Sequence, residues 1–149
     1  MERDLAPLIA TWYKDWFRNE RLYDVWARQH GLNYSSLFTL YVLNSTGGCT
    51  PSYIAEFLSI SKQTVNSILG RLEKKLLIKR VPSSTDGRSC MVLLSDNGVR
   101  WVSDLMQALT TMEYHAFGRL TENEVRQMIE LDGKLTDSIS EEMQEEAKK

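Results

Sequence analysis

Three residues, Ser59, Ile60 and Ser61, separate two short helix patterns in the middle of this chain. The first opens at Thr50, a favoured N-cap type, with Pro51 at the first helical position, where its missing N–H costs little. The second opens at Ser61, again an N-cap type. It places Val65, Ile68, Leu69 and Leu72 on one face at i, i+3, i+4 and i+7 spacing. Cys49 with Ile54, and Ile60 with Val65, stand at the positions of hydrophobic staples across the two helix starts. Two short capped helices on so tight a turn read as a helix-turn-helix, and no other feature constrains the fold as strongly.

Helical spacing dominates the rest. Leu5, Leu8, Ile9, Trp12, Trp16, Tyr23 and Trp26 recur over about residues 5–27, with Asp4 as the expected N-cap and Gly31 as the stop. Asn33 is the expected cap of a helix over about 34–44, with Leu37, Leu40 and Tyr41 on one face. "STGG" breaks it. After the helix-turn-helix, "LLIKRV" and "SCMVLL" read as two strands around a Pro-, Ser- and Gly-containing tip, a hairpin. Ser95 caps a long helix carrying Val102, Leu105, Met106, Leu109 and Met112. "TENE" is a capping box that opens a last helix with Val125, Met128, Ile129, Leu135 and Ile139. The expected fold is mainly α with a small β-hairpin, and 149 residues favour one domain.

Net charge is −2, yet the charge is unevenly placed. Residues 61–91 carry seven basic side chains against Glu73 and Asp86, while the rest of the chain has 11 basic and 18 acidic residues. A basic segment in an acidic protein is the footprint of a local polyanion site. No apolar run approaches the length of a membrane span, and the N-terminus does not read as a signal peptide. Two cysteines are too few for a disulfide framework, which fits a cytoplasmic protein. His30 and His115 have no partners at catalytic or metal-ligand spacing, and "STGGCT" lacks the Lys of a phosphate loop. No enzymatic activity, cofactor or metal is expected.

The second helix of the pair presents Gln63, Ser67, Gly70 and Lys74 opposite its apolar face, flanked by Lys62, Thr64, Asn66 and Arg71. A merely solvated face is usually rich in Glu and Lys. This one is Gln, Thr, Asn and Ser, mostly poorer helix formers, with no acid before Glu73. Such side chains pair with base edges, and Lys and Arg with guanine or phosphate. In a helix-turn-helix the second helix is the one that enters the major groove. Gly70 either admits a close phosphate or base or is simply tolerated.

Between residues 32 and 98 the chain resembles the MarR family of winged helix-turn-helix transcriptional regulators. The resemblance is carried by "YIAEFLSISKQTVNSILGRLEKKLLIKR", then "DGRS", then "LLSDNG", in that order. Two positions depart from the family pattern: Leu76 stands where Gly is common, and Ser89 where a second wing Arg often follows Arg88. The resemblance implies a winged helix-turn-helix over residues 32–100, with residues 1–31 and 101–149 as dimerisation helices, in one domain over 1–149. It implies a homodimeric repressor on a pseudo-palindromic operator in double-stranded DNA, released by a small aromatic or anionic ligand.

Within that frame Ser61, Lys62, Gln63, Thr64, Asn66, Ser67 and Arg71 form the recognition-helix site, and Lys74, Lys79 and Arg80 are phosphate candidates. Asp86 and Arg88 form the wing site, with Arg88 expected in the minor groove and Asp86 expected to pair with and orient it. Trp12, Tyr13, Trp16 and Trp101 are candidates for a ligand pocket, although aromatic stripes at helical spacing more often form core or dimer interface. Two alternatives stay open. One is a winged-helix protein–protein module without specific DNA binding. The other is a thiol redox sensor acting through Cys49, whose place beside a helix start would lower its pKa.

Overall fold

The computed structural model of the chain describes residues 4–84 and 88–149. Among the described residues six helices and one hairpin follow in the order α1 (Ala6–Gln29), α2 (Tyr34–Thr46), α3 (Pro51–Leu58), α4 (Lys62–Lys74), β1 (Ile78–Pro82), β2 (Cys90–Leu94), α5 (Asp96–Phe117) and α6 (Glu122–Glu146). The mainly helical class and the hairpin stand as expected. The chain divides into two compact units, the first ending at Met106 and the second spanning Gln107–Lys149.

In the first unit the caps explain where helices begin. Asn33 accepts the Ser36 N–H, Thr50 the Tyr53 N–H and Ser61 the Thr64 N–H. Each satisfies one of the donors a helix start leaves open. The α1 start differs from expectation. Its N-cap is Leu5, without a side-chain cap, and Asp4 instead accepts the Ala6 N–H at 3.2 Å. At the other end of α1, Asp24 accepts from Arg28 Nε at 2.6 Å and from the Tyr34 N–H at 2.9 Å, tying α1 to the first turn of α2. These two bonds, the Arg28 one foremost, hold the Asp24 carboxyl below its ordinary pKa.

The core is built from α2, α3, α4 and the hairpin, where Leu37, Leu40, Leu43, Ile54, Val65 and Val92 are all buried. Tyr41, expected to share the inward face of α2, is exposed; Val42 and Leu43 take that place. The hairpin is antiparallel, pairing Ile78 with Leu94 and Arg80 with Val92. Cys49 adds a one-residue rung on the other edge of β2: its N–H donates to Val92 O at 3.1 Å and its carbonyl accepts from Val92 N at 2.8 Å. Gly98, in the first turn of α5, is required by packing. A Cβ there would lie 1.9 Å from the Leu77 carbonyl oxygen.

In the second unit the capping box at Thr121 and Glu124 is formed as the sequence indicates, and it holds the Glu124 carboxyl below its ordinary pKa. Along α6 no residue is buried.

Candidate nucleic-acid interface

Helix α4 is anchored by Val65, Ile68, Leu69 and Leu72, each at most 1% exposed. That burial fixes the opposite face outward. Lys62, Gln63, Thr64, Asn66, Ser67, Arg71 and Lys74 are all exposed, and Gly70 is half-buried. The structure therefore brings the expected recognition residues onto one accessible surface. Ser61 has a second task there, since its Oγ caps the helix and lies 2.8 Å from Thr64 Oγ1.

The basic residues do not behave alike. Lys79 on β1 is exposed. Arg80, expected as a phosphate contact, is engaged within the chain. Its Nε donates to Glu73 Oε1 at 3.1 Å and a terminal guanidinium nitrogen donates to Asn66 Oδ1 at 3.4 Å. This link between strand and helix spans 7 and 14 residues, too far for any local pattern to reveal it. At the wing, Arg88 is exposed near the tip. Asp86 lies outside the described residues.

The four aromatic candidates for a ligand pocket do not form one site. Trp12, Tyr13 and Trp16 cluster on α1, with ring centroids 5.0 Å apart for Trp12–Tyr13 and Trp12–Trp16. Trp101 instead lines a pocket of about 420 Å³ with His30, Leu32, Lys75, Leu77 and Asn97. At 1.5 Å per residue, Trp12 lies roughly 27 Å along α1 from His30. The pocket joins the end of α1, the exit from α4 and the start of α5. His30, Lys75 and Asn97 come from three separated segments, so no sequence pattern groups them.

Cys49 is buried, and burial pushes its thiol above the ordinary value, against the smaller opposite effect of its bond with Thr46. The lowered pKa that a thiol sensor would need is absent, and the residue's backbone completes the sheet instead. Cys90 is the first residue of β2, as expected of a hairpin residue. Among the described residues no three His, Cys, Asp or Glu side chains converge as metal ligands, and no helix is long and apolar enough to cross a membrane.

Residues 30–89 match the model of the MarR family. No curated protein matches the chain in sequence. Among solved structures, the chain resembles NMB1585, a MarR family regulator from Neisseria meningitidis, with TM-score 0.78 and 22% identity over 97% of this chain and 99% of that one. It also resembles a cysteine-to-serine mutant of MarR from E. coli complexed with operator DNA, with TM-score 0.74 and 20% identity over 89% of this chain and 95% of that one. The S. aureus MepR–DNA complex gives TM-score 0.72 and 25% identity over 93% of this chain and 99% of that one.

Proposed function

We propose, since residues 30–89 match the MarR family model and the fold resembles that of MarR family regulators, that the chain is a cytoplasmic, homodimeric transcriptional repressor that reads a pseudo-palindromic operator in double-stranded DNA. The observation that carries the reading is the outer face of α4, polar, uncharged at its centre and flanked by Lys62, Arg71 and Lys74. Gln63, Thr64, Asn66 and Ser67 read base edges from the N-terminal part of the helix, where Ser61 also stands. Lys62, Arg71, Lys74 and Lys79 meet phosphates, and Arg88 enters the minor groove, oriented by Asp86. That two structural relatives, MarR and MepR, are complexed with DNA supports DNA binding.

Dimerisation is supported by two helices with uncovered apolar surface. On α1, Leu8, Ile9, Tyr13, Trp16 and Phe17 are exposed; on α6, Met128, Ile129, Leu131, Leu135 and Met143 are exposed. Contiguous apolar stripes of this size mark interaction surfaces, and a two-fold dimer would set its recognition helices about 34–36 Å apart, one turn of DNA. The pocket beside Trp101 and Lys75 suits a small aromatic or anionic effector, whose preference for one dimer geometry would release the operator by population shift.

Operator selection from a random duplex pool, followed by binding titrations against salt, tests the reading. A dimer with several phosphate contacts loses affinity steeply as salt rises. Failure of the full chain to bind any selected duplex at low salt would overturn the reading in favour of a protein–protein module.

A further inference from the structure

Arg80 and Glu73 stand out against the basic surface around them. Glu73 is the one acidic residue of α4, and an uncompensated carboxylate there would repel phosphate. Arg80 neutralises it at 3.1 Å and, with the same planar group, reaches Asn66 at 3.4 Å. Asn66 and Glu73 lie about two helical turns apart, so one guanidinium on β1 spans both turns of α4 from the side.

The consequence for Asn66 follows from its chemistry. Its side-chain amide has one accepting end and one donating end, and guanidinium only donates. The amide oxygen must therefore be the end turned toward Arg80, as the geometry has it. Arg80 takes one of the two lone pairs of that oxygen and holds the carbonyl toward β1, so the end most free for a base is the NH₂. Adenine needs both ends of an Asn, because its major-groove edge offers an N7 acceptor beside an N6 donor. Guanine offers two acceptors, N7 and O6, and suits a donor.

We propose that Arg80 is a positioning residue that turns Asn66 into a donor-only reader, so that Asn66 selects guanine over adenine at the base pair it meets. This rests on the DNA-reading role proposed above. A lysine cannot replace Arg80 in this task, because a point charge lacks the fork that holds two acceptors at fixed angles.

The experiment is equilibrium binding of the full chain and its variants to the selected operator and to its single-pair replacements, across salt. The Asn66 position is the pair at which Asn66→Ala no longer distinguishes bases. There the wild type should prefer guanine to adenine by roughly tenfold. Arg80→Lys should lose that preference while keeping the salt slope, because the charge is retained. Glu73→Gln serves as a second variant, should the first fail to fold by circular dichroism. It loosens the anchor, so the guanine preference should fall while non-specific affinity rises.

Three outcomes overturn the proposal and leave the DNA-reading role standing: an adenine preference of the wild type at that pair, an unchanged preference in Arg80→Lys, or a uniform gain in Glu73→Gln without change of preference. The last would mark Arg80 as a latent phosphate contact. Failure of the wild type to bind any duplex overturns both.

Discussion

Helices α4 and α6 are both amphipathic, yet they meet opposite fates. The 13-residue α4 buries four side chains completely against its own chain. The 25-residue α6 buries none, and Ile129 on its apolar stripe is 63% exposed. Amphipathic spacing shows that a face is to be covered, not what covers it. For α4 the cover is α3, α2 and β1. For α6 the uncovered stripe is what the proposed second copy of the chain would bury.

That difference is breakable at one residue in each helix. Ile129→Glu should raise the dimer dissociation constant roughly a hundredfold or more, the scale of a charge placed in the centre of an apolar interface. Operator affinity should fall with it, because two recognition helices then no longer act together. Ile68→Ala should leave the dimer intact below its melting range but cost about 2–5 kcal/mol of folding stability, as core truncations do. Sedimentation equilibrium and urea unfolding separate the two. If Ile129→Glu stays dimeric, α6 is not the pairing helix.

The wing sharpens the division of labour between reading and pairing. Arg88→Ala should weaken operator binding by roughly tenfold or more, about the loss of one specific arginine contact, with no change in dimerisation. Asp86→Ala should weaken binding as well, although it removes a negative charge. Tighter binding by Asp86→Ala, measured by fluorescence anisotropy, would end the orienting role.

How much of this was legible in the sequence depends on the range of each interaction. The inward face of α4, its cap at Ser61 and the capping box at Thr121 follow from spacings of three to seven residues, and each is realised as read. Three features were not readable because their partners lie far along the chain. Cys49 pairs with Val92 through a single backbone rung, which leaves no alternation to detect. Arg80 reaches back to α4, where it bonds Glu73 and Asn66, and composition, which suggested a phosphate contact, carries no sign of these bonds. Trp101 shares its pocket with His30 and Lys75, not with the other aromatics, because α1 carries Trp12 and Trp16 away along its length. Asp4 failed as a cap by one residue, the scale on which helix ends are commonly ambiguous.

Each of the two helices also contains a glycine with room for a methyl group. A Cβ at Gly70 of α4 or at Gly133 of α6 would meet nothing within 4 Å. In either helix, Gly→Ala should stabilise the fold by about 0.5–1 kcal/mol. The two should differ on DNA. If a phosphate or base approaches the backbone at Gly70, Gly70→Ala weakens operator binding by roughly tenfold, the scale of a close contact overpacked by one carbon. Gly133→Ala, measured above the dimer dissociation constant, should leave it unchanged. Equal operator affinity of both variants would show that Gly70 is merely tolerated.

The exits of the two helices differ as well, and here the expected effect is smallest. The chain turns from α4 into β1 through Leu76, which holds φ at +59°, a left-handed conformation suited to glycine. The turn is fixed on both sides: the Leu76 N–H donates to Glu73 O at 2.9 Å and its carbonyl accepts from Ser95 Oγ at 2.6 Å. The left-handed conformation costs an ordinary residue about 1–2 kcal/mol, and its side chain recovers little, being 66% exposed. Leu76→Gly removes that strain but gives the unfolded chain more freedom, worth about 0.5–1 kcal/mol in the opposite direction. The net expectation is a stabilisation of up to about 1 kcal/mol in urea unfolding, with operator affinity unchanged. Ala147, just past the end of α6, already sits in the right-handed helical region, so Ala147→Gly relieves nothing and should not stabilise. A loss of stability in Leu76→Gly would mean that the exposed leucine is itself covered in the functional dimer, and would move the exit of α4 from the reading half of the molecule to the pairing half.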